Sequence, residues 1–201
     1  MSLDAEAAVR QPLAVAAGTM VVVVGPSGAG KDSVMSYAAR HFAEEARVRF
    51  VRRVITRPAD AGGEAHEAID AEGFRTRAAE GGFAVSWEAH GLSYGILRET
   101  LDALAAGVTL VANGSRSALP AFADAYSRLK VVVITARPDI LAARLAARGR
   151  ESAEGIAKRL DRAVPEIVVA ADTVVIDNSG ALEEAGEAFV SLLVSALARE
   201  D

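Results

Sequence analysis

In the stretch MVVVVGPSGAGKDSV, Met20 to Val34, a run of valines enters a glycine-rich turn that ends in a lysine and an aspartate. The turn Gly25, Pro26, Ser27, Gly28, Ala29, Gly30 can face successive backbone N–H groups inward, and a helix starting behind it adds partial positive charge. That combination cradles phosphates, and Lys31 completes the pattern G-x-x-x-x-G-K by reaching the β and γ phosphates of a nucleotide. The Ser or Thr that ordinarily comes next and holds Mg²⁺ is here Asp32. A carboxylate beside a polyphosphate is repelled unless a cation lies between them, and Mg²⁺ favours one or two carboxylates together with phosphate oxygens and water. Asp32 therefore reads as a Mg²⁺ ligand, direct or through water, with the Ser33 hydroxyl one residue later; the plainer alternative is that it complements the helix dipole. ATP and Mg²⁺ are the expected cofactors.

Phosphoryl transfer asks for positioning and charge neutralisation rather than a nucleophilic side chain. Cations are needed for the acceptor and for the moving phosphate. The segment VITRPADAGGEAHEA contains Arg57, Glu64 and His66, and FAVSWEAHGLSYGI contains His90 and Tyr94. Arg57 and Tyr94 are expected on an acceptor phosphate. Glu64, His66 and His90 suit sugar hydroxyls, with solvated loop side chains as the alternative. LAARGRESAEGIAKRL places Arg148, Arg150 and Arg159 in a basic stretch between Arg144 and Arg162, which a solvated helix face would also explain. Asn113 and Arg116 follow a strand, where open α/β sheets put ligands, and are expected to touch the acceptor. Asn178 follows the last strand and is expected to mark a loop touching adenine through its backbone. Trp87 reads as core.

These residues need a scaffold. Continuous apolar runs, suited to strands covered on both faces, occur at Met20–Val24, Arg49–Ile55, Val108–Ala112, Val131–Thr135 and Thr173–Ile176. Helices are expected over Gly30–Phe42, Arg98–Ala106, Asp139–Arg148, Ala153–Ala171 and Leu182–Ala198. The alternation implies an α/β fold with a doubly wound parallel sheet. Turn residues and scattered aromatics between about 57 and 97 suggest a small α+β acceptor-binding insertion, and the basic stretch at about 144–162 a helical lid. Residues 1–18 read as a flexible tail before a single domain spanning 19–201.

Of the 201 residues, 51% are hydrophobic and 5% aromatic, so the core should be built from small aliphatic side chains. A net charge of −5 argues against a nucleic-acid partner, and with no cysteine, disulfides and thiolate chemistry drop out. No apolar run approaches a membrane span. A cytoplasmic enzyme acting on a small phosphorylated molecule is expected; a homodimer is compatible with the sequence.

The loop GPSGAGK, the T-R-P after the second strand, H-G-x-x-Y-G-I and R-G-R-E followed by I-x-x-R-L together resemble the guanylate kinase family over about 165 residues from Met20. In that family an acid that reads guanine stands where this chain has Val85, and a Ser or Thr stands where it has Ile96. The acidic strand end that helps hold the base is replaced by Ala112-Asn113-Gly114-Ser115-Arg116. Phosphate binders are kept and base readers are gone, so the acceptor should carry phosphate without guanine. GPSGAGKDS, V-I-T-R-P-A-D-A-G-G-E-x-H, W-x-A-H-G-L-x-Y-G-I and V-x-N-G-S-R resemble in particular the ribose 1,5-bisphosphate phosphokinases of phosphonate breakdown. That resemblance implies ATP-dependent formation of 5-phosphoribosyl 1-diphosphate, with Arg148, Arg150 and Arg159 on the transferring phosphate. The alternatives are a guanylate or other nucleoside monophosphate kinase and, from a different class, a non-catalytic peptide-binding module, which would be expected to degrade the loop lysine and lid arginines.

Overall fold

The computed structural model describes residues 18–59, 64–147 and 172–198. Residues 1–17 of the expected tail, the helix expected over 153–171 and the arginines Arg148, Arg150 and Arg159 lie outside these residues, whereas Gly18 is buried and its N–H donates to Leu104 O (2.7 Å).

The main sheet is parallel throughout. It joins β1 (Met20–Val24), β2 (Val48–Phe50), β7 (Thr109–Asn113), β8 (Leu129–Thr135) and β9 (Thr173–Asp177) in the order β2-β7-β1-β8-β9. Its central strand shows why a valine run suits this position. Val21 and Val23 face a layer containing Val34, Ala38, Phe189 and Leu193, whereas Met20, Val22 and Val24 face Leu110, Phe122 and Val133. All five β1 residues are essentially inaccessible. Burying each such side chain is worth roughly 1.5–3 kcal/mol, and alternation on a doubly covered strand divides that gain between two cores. Helices α1 (Lys31–His41) and α6 (Leu182–Leu197) cover one face, and α3 (Thr100–Ala105) and α4 (Leu119–Ala125) the other.

A second sheet, ordered β4-β3-β6-β5, carries the insertion: β3 (Val54–Ile55), β4 (Glu67–Ala68), β5 (Phe83–Ala89) and β6 (Leu92–Leu97), with α2 (Ala71–Ala79) beside it. The expected strand Arg49–Ile55 is thus two strands in two sheets. The Val51 N–H makes the last bond to the main sheet, at Val111 O (2.8 Å). Arg52 and Arg53 then interrupt the apolar run, and Val54 and Ile55 are buried against β6 instead. The short alanine-rich α4, Leu119–Ala125, and α2 were not expected as separate helices. Helix α5 is described over Pro138–Ala147. No helix among the described residues is long and apolar enough to cross a membrane.

Candidate active site

β1 delivers the chain to Gly25 at the carboxyl edge of the sheet, where a Cβ would lie 2.1 Å from the Ile134 carbonyl, so only glycine fits. The loop closes at Gly30 with φ 86°, and α1 begins with no side-chain cap on its first turn. A helix start of this kind suits an anion above the loop. The Lys31 ammonium reaches back over the loop, donating to Gly25 O (2.9 Å) and Pro26 O (3.2 Å).

A polar cleft of about 420 Å³ opens above the loop. Gly25, Pro26, Ser27, Gly28, Gly30, Lys31, Asp32 and Ser33 line it from the loop and α1, and Asn113 to Arg116 from the end of β7. Arg53, Trp87, Ala89, His90 and Tyr94 line it from the insertion and its connection, and Leu141 and Leu145 from α5. The sequence-based residues Lys31, Asp32, Ser33, His90, Tyr94, Asn113 and Arg116 therefore meet in one cavity. Ala29 is fully buried beneath the loop.

Three expected acceptor residues stand behind this surface rather than on it. His66 is 7% exposed, with Nε2 3.1 Å from Arg57 O and Nδ1 3.1 Å from Arg57 Nη2 and 3.0 Å from Glu64 O. In the neutral tautomer with hydrogen on Nε2, the ring donates to Arg57 O and accepts from the Arg57 guanidinium. Its expected contact with a sugar hydroxyl gives way to holding Arg57, because both ring nitrogens are engaged within the protein. Arg57 keeps a buried Nε with no partner among the described residues.

Glu64 is connected to the loop through Asn113. The Asn113 amide donates to Asp32 Oδ1 (2.8 Å) and to Glu64 Oε2 (3.1 Å), bringing two carboxylates to one nitrogen. Asp32 is exposed and forms no ion pair among the described residues. Such a carboxylate at the phosphate end fits Mg²⁺, which takes one or two carboxylates and completes its shell with phosphate and water. No group of three or more metal-ligating side chains occurs among the described residues, and Mg²⁺ bound with a nucleotide needs none.

Asn178 is 2% exposed, its Nδ2 donates to Ala29 O (2.7 Å), and its N–H donates to Thr135 O (2.8 Å). Its side chain clamps the phosphate loop, a role beyond the one expected of it. Beside it, Arg144 presents toward Gly30 a buried Nη1 without a partner among the described residues, a donor suited to a phosphate oxygen.

Trp87 is both core and wall. Val85, Trp87 and Ala89 share one face of β5; Val85 is 2% exposed and cross-strand from the fully buried Ile96, while Trp87 and Ala89 emerge at the cleft. Trp87 stacks on Tyr94 with 5.3 Å between centroids and 9° between planes. His90 (φ 54°) and Gly91 (φ 74°) form the two-residue turn between β5 and β6, a geometry that needs two positive φ values. Arg53 is a charged cleft residue that sequence reasoning missed, since it lay inside a run read as strand. The adjacent pair Arg52-Arg53, unsuited to a doubly covered strand, was the available signal.

No protein-family model matches the chain. Among solved structures it resembles a guanylate kinase from Anaplasma phagocytophilum, with a TM-score of 0.64 at 19% identity over 90% of this chain and 86% of that one. It also resembles a sugar kinase from Janibacter sp., with a TM-score of 0.51 at 20% identity over 90% and 97% of the two chains. At such identities the likeness concerns the fold, which is that of the guanylate-kinase-like P-loop proteins. Sequence relatives are far nearer. A ribose 1,5-bisphosphate phosphokinase from Agrobacterium fabrum is 52% identical over 174 residues, 87% of this chain and 95% of that protein. One from Rhizobium etli is 52% identical over 181 residues, 90% and 92% of the two. In Azorhizobium caulinodans a bifunctional ribose 1,5-bisphosphokinase-thymidine phosphorylase is 47% identical over 90% of this chain and 26% of its own length. The missing base readers and the retained phosphate loop thus find their explanation: this chain belongs to the ribose 1,5-bisphosphate phosphokinase family.

Proposed function

We propose that the protein transfers the γ-phosphoryl group of ATP to the C1 phosphate of ribose 1,5-bisphosphate, giving ADP and 5-phosphoribosyl 1-diphosphate. The observation that carries this reading is the Val85–Ile96 pair. At the positions where the guanylate kinase resemblance puts base readers, the protein has two buried, directly opposed aliphatic side chains. The acceptor end of the cleft is instead cationic and aromatic, with Arg53, Tyr94 and Trp87.

An ionised oxygen of the C1 phosphate attacks the γ-phosphorus, the bond to the β-phosphate oxygen breaks, and ADP departs with the electron pair. The nucleophile is already ionised near neutral pH, so no side chain has to remove a proton. The protein's task is placement and charge balance. The glycine-rich loop and Lys31 hold the β and γ phosphates, and the orphaned Arg144 Nη1 supports the same end of the cleft. Asp32, with Ser33, holds Mg²⁺, which when bound neutralises the phosphates. Tyr94 takes the accepting phosphate, Arg57, kept in place by His66, adds its positive charge from behind the cleft surface, and Asn113 and Arg116 line the approach. Arg148, Arg150 and Arg159, beyond the described residues, take the moving phosphoryl group.

A coupled assay with ATP and Mg²⁺, comparing ribose 1,5-bisphosphate with GMP, tests the reading. Turnover of the bisphosphate with GMP poor even at millimolar concentration is expected. Efficient use of GMP would make the protein a divergent guanylate kinase. Inertness toward both would return it to the class of binding modules.

A further inference from the structure

Arg53 comes from the short connection between the two sheets and reaches the cleft with its side chain only 11% exposed. Its guanidinium is held on two sides. Nε donates to Glu64 Oε1 (3.0 Å), Nη2 bonds the same oxygen, and the plane lies 4.9 Å from the Tyr94 centroid and 5.8 Å from that of Trp87. Glu64 is fixed in turn by Asn113 on its other oxygen. Arg53 Nη1 makes no hydrogen bond among the described residues, although the group beside it is locked in orientation.

A structural ion pair does not need this arrangement. An arginine packed on two aromatic faces and braced by a carboxylate has lost its rotamer freedom in advance, so a ligand binding to its remaining N–H groups meets little ordering cost. The carboxylate brace would repel an anionic sugar if left bare, and the Arg53 and Asn113 donors cover both its oxygens. Val54 pairs with Gly95 and Ile55 with Tyr94, so Arg53 precedes them on the Ile96 side, away from Arg57 and toward the end of the cleft where the guanylate kinase resemblance puts base readers.

Resting on the functional reading above, we propose that Arg53 binds the 5-phosphate of the acceptor, the phosphate that is not phosphorylated. It thereby makes the protein specific for a sugar bisphosphate. The reacting C1 phosphate must lie near Lys31 and the γ-phosphate, which leaves the second phosphate for the far end of the cleft. Arg53 is the guanidinium lining that end, and its N–H fork suits phosphate oxygens.

The test uses Arg53→Met, which preserves the length of the packed stem, and Arg53→Lys, which preserves charge but not the fork. Steady-state KM is measured for ribose 1,5-bisphosphate and for ATP, together with competitive inhibition by ribose 5-phosphate and by ribose 1-phosphate. Loss of a charge-assisted contact predicts that Arg53→Met raises KM for the bisphosphate and Ki for ribose 5-phosphate by about 10- to 100-fold. Ki for ribose 1-phosphate and KM for ATP should stay within about twofold, and Arg53→Lys should recover part of the loss. Equal weakening of both monophosphates would overturn the proposal in favour of a structural role, as would unchanged Ki for ribose 5-phosphate. If the wild-type protein itself does not phosphorylate ribose 1,5-bisphosphate, the functional reading fails first and takes the proposal with it, a result visible before any variant is made.

Discussion

The clamp beneath the phosphate loop can be measured as an interaction energy. Gly30 has φ 86°, and a Cβ on it would lie 2.3 Å from Asn178 Nδ2. Asn178 cannot step aside easily, being 2% exposed with that nitrogen bonded to Ala29 O at 2.7 Å. Gly30→Ala therefore carries a left-handed backbone cost of about 1–2 kcal/mol and an overpacking cost of about 1–3 kcal/mol. Asn178→Ala leaves the buried Ala29 carbonyl unpaired, at about 1–3 kcal/mol. In the double variant the clash is gone and only backbone strain and the lost bond remain. The two substitutions should thus be less than additive by about 1–3 kcal/mol. Urea unfolding of the wild type, both single variants and the double variant reads this directly, and KM for ATP should rise in each variant while the loop geometry is relaxed. Additivity within about 0.5 kcal/mol would refute the claim that Asn178 packs against Gly30 as a clamp.

Other outcomes follow from the same geometry. Asp32→Asn removes charge but keeps an oxygen of similar reach, so apparent Mg²⁺ affinity in the presence of ATP should fall and added Mg²⁺ should restore part of the rate. Superimposable normalised curves of rate against free Mg²⁺ would leave Asp32 as a helix-dipole residue only, worth roughly 0.3–1 kcal/mol of stability. Burial raises the Tyr126 hydroxyl above its ordinary value, with its hydrogen bond to Thr100 acting the other way. A raised folded pKa keeps its stabilising contribution below the unfolded value near 10 and loses it as pH rises through the folded one. The stability of the wild type should therefore drop above about pH 10, and denaturation of Tyr126→Phe should show a shallower alkaline decline.

The main sheet was legible because strands covered on both faces need unbroken apolar runs, and no competing pattern produces five of them between helices. The run Arg49–Ile55 misled for a related reason: composition records apolarity but not which sheet receives it. The phosphate loop was legible because glycine spacing encodes backbone geometry directly. Arg53 and Asn178 were not, since their meaning comes from partners distant in sequence. Ala29, for example, is 149 positions from the asparagine that holds it. His66 is expected on a sugar hydroxyl, and a sequence cannot reveal that its ring lies against Arg57 and Glu64. The lid arginines remain part of the proposal, as they lie outside the described residues.

The Val85–Ile96 pair has a consequence for how acceptor choice could change. An acid introduced at Val85 would enter a layer containing Leu104, Phe122 and Val133 and face Ile96, with 2% of its own position open to water. Removing a polar group from water without a partner costs roughly 2–7 kcal/mol, and more if it stays ionised, against a total stability of about 5–15 kcal/mol for a typical domain. A one-step reversion toward guanine recognition would thus threaten folding before it could improve a nucleotide's fit. Guanine recognition at this position would require the surrounding layer to be rebuilt first, so the discrimination against purines expected of this site is anchored in the hydrophobic core and insulated from single substitutions in the cleft.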